Sequence, residues 1–390
     1  MTAPALPRAP RYGTASLAEL LPAAATVLGG GADALLPWPA GIRGVVVLVA
    51  DGLGRRQLDA YANLAPFLAA VPGATLDAPF PSTTATSLSS LGTGRPPGEH
   101  GIVGFAMRPP DHDRRLVTLT WSWDRDRPVD DARAEVVPEA LQPLPTVFAT
   151  ARAGGLQTVT VLQPDFVGSG LTRAALRGGR TETAVGLDAT LATALQAVVG
   201  TTAAPVLVYA HHAEIDRAGH VAGPGSDAWC AALAALDGTL QRVAADLPGD
   251  VALVVTADHG MVATSEAELL EIADDPALCD GVRLLTGEPR ARYLHTVEGA
   301  AEDVAAAWRE RVGARGHVVE RDVAIDAGWY GPTVTPRVRR SIGDVVVVAD
   351  GTVGFVHAMH DPRGGHLAGH HGALTPDELE IPALVVTRSG

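Results

Sequence analysis

The segment Gly365-His366-Leu367-Ala368-Gly369-His370-His371-Gly372 is the least ordinary in this 390-residue chain, because three of its 13 histidines fall within six residues. A glycine-rich stretch packs poorly, whereas clustered imidazoles make good metal ligands. Asp258-His259-Gly260 closes an apolar run and sets a carboxylate beside an imidazole on a tight turn. Asp216 and His220 are four residues apart, so on a helix they share a face. Asp51 ends another apolar run, in Val49-Ala50-Asp51-Gly52-Leu53-Gly54. Finally, Phe80-Pro81-Ser82-Thr83-Thr84-Ala85-Thr86-Ser87 leads into Leu91-Gly92-Thr93-Gly94. Pro81 stops the preceding element, and a helix beginning near Thr84 carries hydroxyls where backbone N–H groups and the helix dipole favour phosphate. Each fragment also has a plain reading as a cap, a surface pair or a solvated loop. Together they supply three carboxylates, three imidazoles and a hydroxyl. That suffices for two divalent metal ions with mixed oxygen and nitrogen donors, a set that suits Zn²⁺ and admits Mn²⁺ or Fe.

Such scattered ligands need a scaffold that gathers them. Short Val-rich runs recur at Gly44–Ala50, Thr158–Leu162, Pro205–Tyr209, Val251–Thr256, Val345–Ala349 and Ile381–Val386. Continuous apolar runs of this length suit strands buried on both faces. Helical stretches such as Leu187–Val199 and Ala231–Leu247 alternate with them, which predicts an α/β fold with a doubly wound, mostly parallel sheet flanked by helices. In such sheets the ligand site lies outside the carboxyl ends of the strands, and three runs lead there into Asp51, into His211-His212 with Asp216 and His220, and into Asp258-His259. Two segments read as additions. Arg108 to Glu135, charged and holding Trp121 and Trp123, reads as a loop near the site. Thr264 to Ile342, with its Trp329-Tyr330-Gly331-Pro332 turn, reads as a small inserted cap. The expectation is one catalytic domain over 1–390, with its core at about 40–263 and 343–390 and the cap at about 264–342. Asp350-Gly351 also follows an apolar run but reads as a turn.

Hydrophobic residues make up 47% of the chain, enough for a large core, and the net charge is -14. An acidic chain is a poor general binder of nucleic acid or anionic membranes. All 30 basic residues are Arg. Cys230 and Cys279 belong to no CxxC pattern and are expected as buried thiols in a reducing compartment. Met1 to Tyr12 has no apolar core, and Leu17–Leu28 is broken by Glu19 and Pro22, so neither reads as a signal peptide or a membrane span. A cytoplasmic enzyme is expected.

The ordered set resembles the alkaline phosphatase superfamily, and within it the type I phosphodiesterase/nucleotide pyrophosphatase family. The resemblance rests on Asp51, Phe80-Pro81-Ser82 with Thr84, Thr93-Gly94, Glu99-His100-Gly101-Ile102, Asp216 and His220 before Gly223-Pro224, Asp258-His259-Gly260, and His371-Gly372. It spans about Val45 to Val386 and covers the cap poorly. It implies that Asp216, His220 and His371 hold one metal and that Asp51, Asp258 and His259 hold the other. Thr84 would be a metal-bridging nucleophile, chosen over Thr83 by its offset to Gly94. His371 is chosen over His370 because Gly follows it. The implied activity is hydrolysis of phosphate diesters or pyrophosphates of small molecules through a covalent phospho-threonine. The alternatives are a phosphomonoesterase or phosphosugar mutase of the same superfamily, and, more remotely, a non-catalytic metal and phosphate binder. One departure stands out. The family's nucleotide pyrophosphatases place a phosphate-binding Asn after the nucleophile, and this chain's only Asn is Asn63. Val103-Gly104-Phe105-Ala106 occupies the expected neighbourhood, and Arg55, Arg95 or Arg108 are the candidate replacements, each otherwise a surface Arg. Phe105, Trp121 and Trp123 read as candidate stacking surfaces, or as ordinary packing.

Overall fold

The computed structural model describes residues 5–123, 130–201, 204–361 and 364–388. Residues 124–129 of the Arg108–Glu135 segment lie outside that set. The elements that build the site are, in order, α1 (Leu20–Leu28), β1 (Gly44–Ala50), β2 (Gly73–Asp77), α2 (Thr84–Thr93), β3 (Gln157–Leu162), β4 (Arg180–Thr183), α3 (Leu187–Val199), β5 (Val206–His212), α4 (Glu214–Ala222), α5 (Asp227–Asp246) and β6 (Val251–Thr256). They continue with β7 (Val282–Glu288), β8 (Ala291–Thr296), α6 (Ala301–Val312), β9 (Gly316–Glu320), β10 (Val345–Ala349) and β11 (Glu380–Val386).

A seven-stranded sheet runs in the order β2-β11-β6-β1-β5-β3-β4. The Gly-Val-Val-Val-Leu-Val-Ala run of β1 is buried at every position and pairs in parallel with both β5 and β6. Burial on both faces explains why its sequence shows no polar alternation. β3 continues the parallel set, and β11 is the strand that runs against its neighbours β6 and β2. α1 and α3 pack on β1 and β5. α1 accommodates Pro22 in its first turn, where the missing N–H costs nothing. Among the described residues no helix is long and apolar enough to cross a membrane.

A second, antiparallel sheet has the order β7-β8-β10-β9. The run Val345–Ala349, expected in the main sheet, is the strand β10 of this smaller one. The physical reason is visible in its packing. Val345, Val347 and Ala349 join a separate cluster with Trp308 of α6, Leu294 and Phe355, while Val346 and Val348 face the main core. A strand covered on both faces reads the same in sequence whichever sheet it joins. The cysteines also differ from expectation: Cys279 is exposed and Cys230 half-buried, and both are free. Cys279 ends a single four-residue helical turn, Pro276–Cys279, whose buried position is taken by Leu278.

Leu48 is fully buried in the middle of β1. Replacing it with Ala is expected to cost about 2–5 kcal/mol of unfolding free energy in chemical denaturation. A loss under about 1 kcal/mol would mean that β1 is not the centre of the core.

Candidate metal centre

Adjacent strand ends bring the acidic and imidazole groups together. In the register of the central strands, Ala50 lies beside His212 and Val49 beside Thr256. The next residues therefore emerge at one edge: Asp51 after β1 and Asp258-His259 after β6. Gly52 makes the turn after Asp51 with φ +76°, and a Cβ there would meet Asp216 Cα at 2.8 Å. That close approach seats the first turn of α4 against Asp51, whose carbonyl accepts from the Asp216 N–H at 3.0 Å while its own N–H donates to the His212 carbonyl at 2.9 Å. Asp216 and His220 lie one turn apart on α4. Thr84 is the first residue of α2, after Thr83 in extended conformation, and Ser87 Oγ donates to the Asp258 carbonyl at 2.7 Å, fixing the helix end over the strand end.

The hydrogen bonds fix how the three imidazoles point. Nδ1 of His220 meets the Gly369 carbonyl at 2.8 Å, that of His371 meets the Ser82 carbonyl at 2.8 Å, and that of His259 meets the Gly260 carbonyl at 3.0 Å. A carbonyl only accepts, so each Nδ1 carries the hydrogen and each Nε2 of the neutral ring presents a bare lone pair. Yet the Nε2 atoms of His220 and His371 face each other at 3.2 Å. Asp216 Oδ1 lies 3.3 Å from the first and 3.9 Å from the second. Nε2 of His259 faces Asp51 Oδ1 and Asp258 Oδ2, each at 3.5 Å, and Thr84 Oγ at 3.4 Å. Asp51 Oδ1, Asp216 Oδ1 and Asp258 Oδ2 are buried without a hydrogen-bond partner. Lone pairs converging on lone pairs are unfavourable unless a cation lies between them. The groups fall into two sets, Asp216 with His220 and His371, and Asp51 with Asp258 and His259, each with its ligand atoms within 4.8 Å of one another. This chemistry fits two divalent cations with oxygen and nitrogen ligands, held by His rings whose other nitrogen is tied to a backbone carbonyl. The rings of His259 and His371 stack at 3.5 Å and join the two sets.

Electrostatics point the same way. Burial, then the charges of Asp258 and Asp216, hold the Asp51 carboxyl well above the usual range. Burial also raises Asp216. Asp258 goes down despite its burial, because His259, His211 and the Gly52 N–H favour its ionised form. His371 is pushed well below the usual imidazole value by burial and by His259 and His220. Three carboxylates this close cannot all ionise cheaply without a counter-charge.

The chain's other sequence candidates belong to neither set of converging donors, although His370 and Phe105 line the cavity beside them. His370 is buried with its Nε2 bonded to the Gly364 carbonyl at 3.0 Å, and burial lowers it to about 4. Arg55 pairs with Asp59, Arg95 lies near Glu99, and Arg108 bonds the His112 and Arg340 carbonyls. Trp121 is packed under Gly170 with its indole N–H on the Val136 carbonyl, and Trp123 donates to Glu135. His100 of the Glu99-His100-Gly101-Ile102 segment is buried, binds Ser90 Oγ at 2.9 Å and accepts from the Ile102 N–H, so it ties the end of α2 to the following turn. Phe105 does reach the site, lining a cavity of about 310 Å³ with Thr84, Asp216, His220 and His371. A second cavity of about 180 Å³ meets the first at Thr84, Leu119 and Asp216 and is walled by Leu88, Leu162, Phe166, Leu171 and Leu176.

Three further residues carry the site without a sequence signal that singled them out. His211, at the end of β5, holds Asp51 Oδ2 at 3.0 Å. Glu288, at the end of β7, lines the larger cavity. Glu378 is fully buried and ties three loops together. It pairs with the equally buried Arg290 at 2.8 Å, accepts from the Ala373 N–H, and its carbonyl accepts from the Gly260 N–H. The signals present were only the position of His211 after an apolar run and the Thr375-Pro376-Asp377-Glu378 pattern, which reads as a helix start.

The sequence model of type I phosphodiesterase / nucleotide pyrophosphatase matches residues 45–374. No curated protein matches the chain. Among solved structures, murine ectonucleotide pyrophosphatase / phosphodiesterase 5 superposes with a TM-score of 0.64 at 17% identity, covering 87% of each chain. The human protein of that name gives 0.64 at 18% identity, covering 88% of this chain and 87% of the other. Phosphonoacetate hydrolase from Sinorhizobium meliloti gives 0.62 at 20% identity, covering 90% and 91%. These likenesses establish a common fold.

Elemental analysis of purified variants separates the two neighbouring histidines. His371→Ala is expected to lose about one of two bound metal equivalents, and His370→Ala to keep both. The reverse pattern would exchange their roles.

Proposed function

Because the chain belongs to the type I phosphodiesterase/nucleotide pyrophosphatase family, we propose that it hydrolyses phosphate diesters of small molecules with Thr84 as nucleophile. The observation that carries this reading is the position of Thr84 Oγ: at the first turn of α2, 3.4 Å from His259 Nε2, and shared by both cavities. Asp216, His220 and His371 would hold one metal, and Asp51, Asp258 and His259 the other, with Zn²⁺ the ion best suited to the donors and Mn²⁺ or Fe also compatible. Bound there, such ions favour the alkoxide of a nearby hydroxyl and offset charge on a phosphoryl group.

The chain's own groups then do the following. The N–H groups of the first turn of α2 receive no side-chain cap from Thr83, which leaves them for phosphoryl oxygens. Thr84 Oγ forms a bond to phosphorus, and the bond from phosphorus to one substituent oxygen breaks in line with it. One substituent leaves as an alcohol. The other stays on the phospho-threonine until water cleaves that ester, restores the Thr84 hydroxyl and releases a phosphate monoester. His211 holds Asp51 in place throughout, and Glu378 keeps the His259 and His371 loops in register. Two cavities meeting at the nucleophile suit a phosphorus with two substituents. No arginine lines either cavity among the described residues, which disfavours the doubly charged phosphate of a monoester or phosphosugar. We further propose that β7 to β10 with α6 act as a cap whose β7-β8 hairpin closes one wall of the larger cavity.

Thr84→Ala is expected to keep its fold and its metal and to lose at least about a thousandfold in kcat. The parent enzyme is expected to turn over bis-p-nitrophenyl phosphate faster than p-nitrophenyl phosphate. Near-parental rates in the variant would remove Thr84 from the reaction, and a preference for the monoester would reverse the substrate reading.

A further inference from the structure

The larger cavity contains a carboxyl that the reaction above does not use. Glu288 is 4% exposed and lines that cavity together with Thr84, Asp216, His220 and His371. Its Oε2 accepts from the Phe105 N–H at 2.8 Å. Its Oε1 is buried with no hydrogen-bond partner. The side chain is seated on Gly372, the residue after His371. A Cβ at Gly372, where φ is +133°, would lie 2.6 Å from Glu288 Cγ. The Glu288 position is thus built from three segments: β7, the Gly104-Phe105 turn and the His371-Gly372 loop.

We propose that Glu288 is a specificity-determining residue that receives an ammonium group on the substrate substituent occupying this cavity, so that short aminoalkyl phosphodiesters are the preferred substrates. This rests on the diesterase reading of the same site. An unpartnered buried carboxyl oxygen is expensive, and a charged one more so. Burial raises Glu288 to about 8, with the nearby Arg292 offsetting only part of the penalty. Arg292 forms its ion pair with Asp361, which also binds Arg115 at 3.0 Å, and not with Glu288. A bound cation restores the favourable ionised form and fills the vacant acceptor. An anionic or purely apolar group does neither, and the phosphoryl group itself is held at Thr84 rather than against Glu288.

The test compares 2-aminoethyl benzyl phosphate with propyl benzyl phosphate, which differ at one terminal group. Their binding to metal-loaded Thr84→Ala is measured by calorimetry, with and without Glu288→Gln. Gln keeps the shape and the acceptor for the Phe105 N–H but offers an amide N–H₂ to the cavity. The expected result is about tenfold tighter binding of the aminoethyl ester, falling to about equal affinity once Gln is present. Equal affinities in Thr84→Ala alone overturn the proposal, whether or not the double variant folds. Undiminished preference with Gln also overturns it, as does tighter binding of both esters with Gln, which would make Glu288 a protonated donor to phosphate. Turnover by the parent enzyme, followed by phosphorus NMR, separates the two readings. Hydrolysis of both esters without preference sinks only the Glu288 assignment, whereas hydrolysis of neither, with p-nitrophenyl phosphate still cleaved, sinks the diesterase reading with it.

Discussion

The Nε2 atoms of His220 and His371, both bare when the rings are neutral, face each other at 3.2 Å, and the rest of the site is arranged around that conflict. A backbone carbonyl on the far side of each ring commits the hydrogen to Nδ1, so the rings cannot relieve the clash by changing tautomer. Three carboxylate oxygens, Asp216 Oδ1 beside that pair and Asp51 Oδ1 and Asp258 Oδ2 beside His259, lack hydrogen-bond partners. Such an arrangement is costly in a folded chain and becomes favourable when cations take the converging lone pairs. The metal centre is therefore implied by the protein's own hydrogen bonds, independently of any likeness to another protein.

Everything nearby serves to hold those donors close. The parallel pairing of β1 with β5 and β6 aligns three strand ends, which is why carboxylates 207 residues apart in sequence, Asp51 and Asp258, become neighbours. Glycines at 52 and 372 give up a side chain so that α4 and Glu288 can approach. The buried Arg290–Glu378 pair connects the smaller sheet to the loops that carry His259 and His371. A buried ion pair is weak as a source of stability, but losing one partner leaves the other charge stranded, so this pair enforces a single arrangement of the loops.

How much of this was legible depends on where the information resides. Asp51, Asp258 and His259 stand directly after Val-rich runs, and the helical spacing of Asp216 and His220 is local, so the sequence discloses them. Pro81 and the glycines mark the helix that Thr84 begins, but the choice of Thr84 over Thr83 rests on the family resemblance. Glu288 and Glu378 were not found, because their importance comes from segments meeting in space: β7 against the Gly104-Phe105 turn, and Arg290 against the Thr375–Glu378 turn. Val345–Ala349 was recognised as a strand, but not its sheet, since both of its faces are covered. Cys279 was expected inside and is outside, because a lone cysteine on a short turn has no periodicity to orient it. The missing family Asn was visible as an absence. That a carboxyl and, among the described residues, no arginine lines the larger cavity required the fold.

The account stands or falls on cations between those facing donors. Diffraction from crystals of the protein purified without chelator, recorded on either side of the metal absorption edge, tests it most directly. Two anomalous peaks are predicted, one bounded by Asp216, His220 and His371 and the other by Asp51, Asp258 and His259, with Thr84 Oγ beside them. A map with no peak there, or with His220 and His371 turned apart and bonded to water, would contradict it.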